Sequence, residues 1–76
     1  MKRYTLQQNI TINPDVRFGK PVITGTRVPV DIVVGKIAGG ITVEDVMQEY
    51  MLTRKQIFAA LKYAADLVAS EEVYFV

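Results

Sequence analysis

The stretch Gly19-Lys20-Pro21-Val22-Ile23-Thr24-Gly25-Thr26-Arg27-Val28-Pro29-Val30 divides the chain into two kinds of sequence. It holds two of the five glycines and two of the three prolines. Before it lies a short alternating run; beyond it the apolar residues fall at helical spacing. Glycine supplies left-handed backbone angles, and proline fixes its own φ and restricts the residue before it. The stretch therefore reads as a joint between an extended N-terminal part and a helical part. Gly25 allows an unusual backbone angle, Thr26 can bond the local backbone, and Pro29 sits where a first helical turn tolerates proline. Arg27 is open to two readings. Its guanidinium can tie the fold together through Asp15, Asp31 or Glu49, or it can meet a ligand phosphate or carboxylate. The tie is preferred, so Gly25, Thr26, Arg27 and Pro29 are expected to form a structural joint.

Upstream, Asn9-Ile10-Thr11-Ile12-Asn13 alternates, which predicts a short strand with Ile10 and Ile12 on one face. Residues 1–8 are polar and expected to be loose. Asn13-Pro14-Asp15 ends the strand, Phe18-Gly19-Lys20-Pro21 turns the chain, and Val22-Ile23-Thr24 is a second strand. Residues 9–29 thus form a β-hairpin arm and joint.

Downstream, Val30, Val33, Val34 and Ile37 make one apolar stripe, predicting a helix over Val30–Ala38 that Gly39-Gly40 stops. Gly35 lies inside it at a cost of about 1 kcal/mol against alanine; close packing is the expected reason. Thr42 caps a second helix with Asp45 three residues on. Its buried stripe is Val43, Val46, Met47 and Tyr50. Thr53 caps a third, with Gln56 at the capping-box position, running from Arg54 to about Ser70. There Ile57, Leu61, Ala64 and Val68 are expected on one face, with Lys55, Ala59, Lys62 and Asp66 opposite. The expectation is one mainly α domain: a three-helix bundle over 30–70, preceded by the hairpin arm and followed by a tail, 71–76.

Composition narrows the chemistry. With 76 residues and half of them hydrophobic, the chain has one small core. There is no Cys and no His. Disulfides and thiolate metal sites are excluded, and the commonest metal ligand and general base are missing. No metal site, cofactor or enzyme activity is expected. Gly19-Lys20 lacks the rest of a phosphate-binding loop. The N-terminal run has no apolar segment behind its two basic residues, and no stretch reaches membrane-span length, so a soluble cytoplasmic protein is expected. Net charge is +1 but uneven. Residues 1–36 carry Lys2, Arg3, Arg17, Lys20, Arg27 and Lys36 against Asp15 and Asp31, a net +4, and the rest carries −3. A positive front half suits phosphate or an acidic partner; a solvated surface is the plainer explanation.

The runs Asn13-Pro14-Asp15, Gly19-Lys20-Pro21-Val22-Ile23 and Gly25-Thr26-Arg27-Val28-Pro29-Val30 resemble the bacterial family catalogued as domain of unknown function 433. The resemblance continues through Ala38-Gly39-Gly40, the Val43–Tyr50 helix, Leu52-Thr53, Gln56-Ile57 and Ala59 to Ala64. Met51 departs from a common family pattern, in which the link is longer and contains proline. The resemblance implies a homeodomain-like three-helix bundle after a hairpin arm. It also implies an antitoxin-like, non-enzymatic protein that binds a PIN-like ribonuclease toxin. The C-terminal residues Glu71, Glu72, Val73, Tyr74, Phe75 and Val76 are the candidate toxin-binding segment, because acidic groups suit a basic or metal-bearing nuclease cleft. The alternatives are a dimeric helix-turn-helix DNA-binding autoregulator and a structural domain without a partner. For operator DNA the candidate contacts are Arg54, Lys55, Gln56 and Lys62 on the third helix and Arg17 and Lys20 on the arm. An exposed amphipathic face is the preferred reading of the third-helix residues taken alone, since the acidic Glu44, Asp45 and Glu49 on the preceding helix would repel the DNA backbone. A homodimer is expected in either case, since a monomer offers few phosphate contacts.

Overall fold

A computed structural model describes residues 4–71. Three short strands, β1 (Tyr4–Gln7), β2 (Ile10–Ile12) and β3 (Pro21–Ile23), precede three helices, α1 (Val30–Ala38), α2 (Val43–Tyr50) and α3 (Arg54–Ala69). The strands form one antiparallel sheet in the order β1-β2-β3. The fold is thus helix-dominated with a small N-terminal sheet.

The segment expected to be loose is in part a strand. β1 pairs with β2, Thr5 opposite Thr11 and Gln7 opposite Ile10, with a register irregularity between Thr5 and Gln7. The turn between them needs a left-handed residue, and Asn9 takes it at φ 66, a conformation Asn tolerates better than most residues. Nor do the strands stand away from the helices as an arm. Ile10 and Ile23 are fully buried and share one core with Val30, Val33, Val46, Leu52, Ile57 and Ala60. A two-stranded hairpin is marginal in water, and burial against helices is what stabilises this sheet.

The stretch around Gly25 folds back on itself. Gly25 takes φ +80, Ile23 N–H donates to the Val28 carbonyl at 3.0 Å, and Val22 bridges Pro29. Proline has no N–H to continue the pairing, so the ladder ends there and Val30 begins α1. Pro29 stands at the N-cap, a position where its missing donor costs nothing.

The helices form where the periodicity places them. α1 buries Val30 and Val33, with Val34 and Ile37 packed beside them. Its end is left-handed at Gly40 (φ 101), while Gly39 stays right-handed. Thr42 Oγ1 accepts the Asp45 N–H at 3.1 Å. α2 ends at Met51, a non-glycine residue in the left-handed region (φ 56), and Leu52 N–H then reaches back to the Met47 carbonyl at 2.9 Å. This compact end drops Leu52 into the core. Thr53 and Gln56 complete a reciprocal capping box at the start of α3. α3 buries Ile57 and Ala60, and Ala59, expected on the opposite face, packs against the core beside them; Val68, expected on the buried face, is exposed because the helix outruns the core.

Candidate functional site

Two concave surfaces flank α3. The larger, about 410 Å³, lies between α1 and α3 and is lined by Pro21, Val30, Val34, Gly35, Tyr63, Ala64 and Leu67, with Lys20 and Asp31 also on it. Its lining is apolar because both helices turn part of their stripes toward it beyond the reach of the core. Lys20 Nζ and Asp31 Oδ2 are 3.0 Å apart, and the hydrogen bond from Lys20 holds the Asp31 carboxyl below its ordinary range. Gly35 has no close neighbour: a Cβ added there meets nothing within 4 Å. The close packing expected at this glycine is therefore absent within the described chain, and the space beside it is open.

The second surface, about 310 Å³, lies between the β1–β2 turn and α3 and is lined by Gln7, Gln8, Asn9, Lys55, Phe58, Ala59 and Lys62. Gln7 Nε2 donates to Asp66 Oδ2 at 2.6 Å, and Lys62 Nζ donates to the same oxygen at 2.6 Å. Lys62 first and Gln7 second hold the Asp66 carboxyl below the usual carboxylate range. Gln7 Oε1 is buried without a partner.

The candidate DNA contacts separate into groups. Lys55 and Lys62 line one surface together with Phe58. Arg54 turns to Glu44, at 2.7 Å, and lowers that carboxyl's pKa. The Gln56 amide accepts the Thr53 N–H at 2.8 Å, so its oxygen is committed to the cap. Of the four α3 residues, Lys55 alone makes no ion pair or side-chain hydrogen bond among the described residues. Arg17 and Lys20 lie elsewhere: Lys20 on the α1–α3 groove, and Arg17 against the joint.

In the joint itself, Thr26 is the clasp. Its hydroxyl donates to the Ile23 carbonyl at 2.7 Å and accepts the Val28 N–H at 3.0 Å. Arg27 contributes its backbone carbonyl, which accepts from Arg17 Nε at 3.2 Å, and its side chain is exposed. Two of the three carboxylates considered for its guanidinium are taken, Asp31 by Lys20 and Glu49 by Lys36. Glu49 raises the Lys36 pKa, and the Tyr50 ring lies 5.9 Å from the same ammonium.

Glu71 is exposed, and its N–H donates to the Val68 carbonyl at 3.1 Å. Glu72, Val73, Tyr74, Phe75 and Val76 lie outside the described residues. Among the described residues, no cluster of His, Cys, Asp and Glu could hold a metal ion. No described helix is long and apolar enough to cross a membrane.

Sequence reading missed the α1–α3 groove and the β1 contribution to the second surface. A trace of the groove was present in Leu67 on α3, an apolar residue beyond what the core covers.

No curated protein matches the chain. A crystal structure of Rv2018 from Mycobacterium tuberculosis is similar, with a TM-score of 0.64 and 34% identity over 70% of this chain. The match spans only 25% of that protein's length. The model of the family described as protein of unknown function (DUF433) matches residues 10–64. That span runs from the first buried isoleucine of β2 through the joint to Ala64 on the groove, and the chain belongs to the DUF433 family.

Proposed function

We propose that this chain is a non-enzymatic regulatory binding protein, the antitoxin-like member of a pair whose other member is a PIN-like ribonuclease. The observation that carries this reading is the open apolar groove between α1 and α3, with an unpacked glycine on its wall. A helix-interior glycine lowers helix stability, and here nothing inside the described chain uses the space it leaves. A partner segment laid along α1 uses it. The C-terminal residues 71–76, which follow directly on α3, are the second proposed contact.

Co-expression with a PIN-like nuclease encoded beside it tests the proposal, and a neighbouring frame that encodes no such nuclease counts against it. The two proteins are expected to co-purify and the nuclease to be silenced. Gly35→Leu, whose Cβ has nothing within 4 Å and whose longer side chain takes up space in the groove, is expected to abolish co-purification while circular dichroism stays unchanged. Removal of residues 71–76 is expected to weaken it. A wild-type chain that fails to co-purify overturns the antitoxin reading. Retention of the nuclease by Gly35→Leu removes the groove from it.

The alternative, a homodimeric helix-turn-helix operator binder with a homeodomain-like bundle, draws support from the short α2–α3 link and from Lys55. It is disfavoured by the pairing of Arg54, Gln56 and Lys62 within the fold. A mobility shift on the chain's own upstream region, lost in Lys55→Ala, is its expected signature.

A further inference from the structure

Ahead of β3 the backbone does something its sequence does not demand. Arg17, Phe18 and Gly19 are consecutive left-handed residues, with φ of 53, 55 and 81. Only the third is glycine. The left-handed region brings Cβ against the following carbonyl, so two side-chain-bearing residues in a row there are strained. The turn is nevertheless well tied. Val16 N–H donates to Asn13 O at 2.9 Å, Gly19 N–H to Val16 O at 3.1 Å, and Lys20 N–H to Arg17 O at 3.1 Å. Arg17 Nε reaches across to the Arg27 carbonyl at 3.2 Å. The product of this strain is a Phe18 side chain at 102% exposure, held out on a hydrogen-bonded turn rather than buried. Among the described residues, nothing covers the ring.

The charges around the ring point to its ligand. The Arg17–Arg27 hydrogen bond sets these two residues side by side, and neither guanidinium pairs with a carboxylate among the described residues. Lys20 is neutralised by Asp31. Asp15 is the loop's one other carboxylate; it is exposed, and its own N–H is engaged by Asn13 Oδ1 at 3.0 Å. An exposed aromatic ring adjacent in sequence to Arg17, whose Nε holds the backbone of the exposed Arg27, matches a planar, apolar face carried on an anionic backbone. Nucleic acid has both. Single strands present their bases unstacked, whereas a duplex must be opened before a side chain can enter the stack.

We propose that the Arg17–Lys20 loop is a contact for single-stranded nucleic acid, with Phe18 stacked on a base and Arg17 and Arg27 on the adjoining phosphates. Its contact residues Arg17, Phe18 and Arg27 do not line the α1–α3 groove, and the α3 residues Arg54 and Lys55 take no part in it.

Fluorescence anisotropy of the full chain with labelled oligo-dT and oligo-rU at about 50 mM salt tests it. Binding is expected, with Phe18→Ala weaker by about 5- to 100-fold and Phe18→Tyr close to wild type. Arg27→Ala is expected to reduce the slope of log affinity against log salt by roughly 0.7, the release of one phosphate contact. The double variant Arg54→Ala/Lys55→Ala is expected to bind within about twofold of wild type, because its residues lie off the loop. Phe18 touches no core residue, so circular dichroism of Phe18→Ala checks that the fold persists. The proposal is overturned if the wild type binds neither oligonucleotide, if it binds duplex more tightly, or if Phe18→Ala binds equally well. A Phe18→Ala variant that changes only the sedimentation coefficient overturns it in favour of a protein contact.

Discussion

A methyl group added at Gly35 meets no atom of the chain, and the residue sits on the wall of the α1–α3 groove. Gly35→Ala is therefore expected to stabilise the fold by about 0.5–1 kcal/mol, read as a higher urea midpoint. Met51 gives the same sign for a different reason. It holds a left-handed φ of 56 while 91% exposed, so Met51→Gly relieves strain and gives up little contact. The gain expected is again about 1 kcal/mol, and an unchanged or lower midpoint would show that the exposed thioether contributes to the fold. Thr26 has the opposite character. Valine keeps its shape but removes one donor and one acceptor, leaving the Val28 N–H unmatched in a part-buried loop, while the Ile23 carbonyl keeps only the Thr26 N–H at 3.0 Å. Thr26→Val is expected to cost about 1–3 kcal/mol. Against a total of about 4–11 kcal/mol for a chain this size, that is a serious loss, measurable in the same titration.

Among the elements, α3 depends most on a local device. The Thr53–Gln56 box satisfies two orphan amides, and Thr53→Ala is expected to lower stability by about 1 kcal/mol, seen as a lower thermal midpoint. The helices were legible because their signals are local. Caps at Thr42 and Thr53 and stripes at 30/33/34/37 and 43/46/47/50 lie within a few residues of one another. β1 was not legible, because Tyr4–Gln7 acquires its structure from a partner strand and a left-handed Asn9, and neither shows in its own composition. The joint was legible at Gly25 and Thr26, whose roles are local, and less so at Arg27, whose surroundings depend on which carboxylates other cations reach first. The groove and the second surface are products of tertiary packing between segments far apart in sequence, so periodicity alone could not outline them.

For the molecule as a whole, the ion pairs set the pH response. Asp31, Glu44 and Asp66 have folded pKa values below their ordinary ones. Their contribution is complete above the ordinary carboxylate range and is lost as pH falls through the lowered values, below about pH 4. Lys36 is raised, so its contribution is present below the ordinary lysine range and lost as pH climbs above about 10. With no histidine in the chain, the thermal midpoint is expected to stay level from about pH 5 to 8. These pairs are exposed, so the acid fall is expected to be shallow and to flatten further in high salt. The position of β1 carries a practical warning for anyone trimming this domain. The family match starts at residue 10, three residues after β1 ends at Gln7. A fragment cut at that boundary would lose the bulged outer strand and bare the regular, isoleucine-bearing flank of β2. An unguarded flank of that kind recruits strands from other molecules, so such a fragment is expected to precipitate where the longer chain stays dispersed.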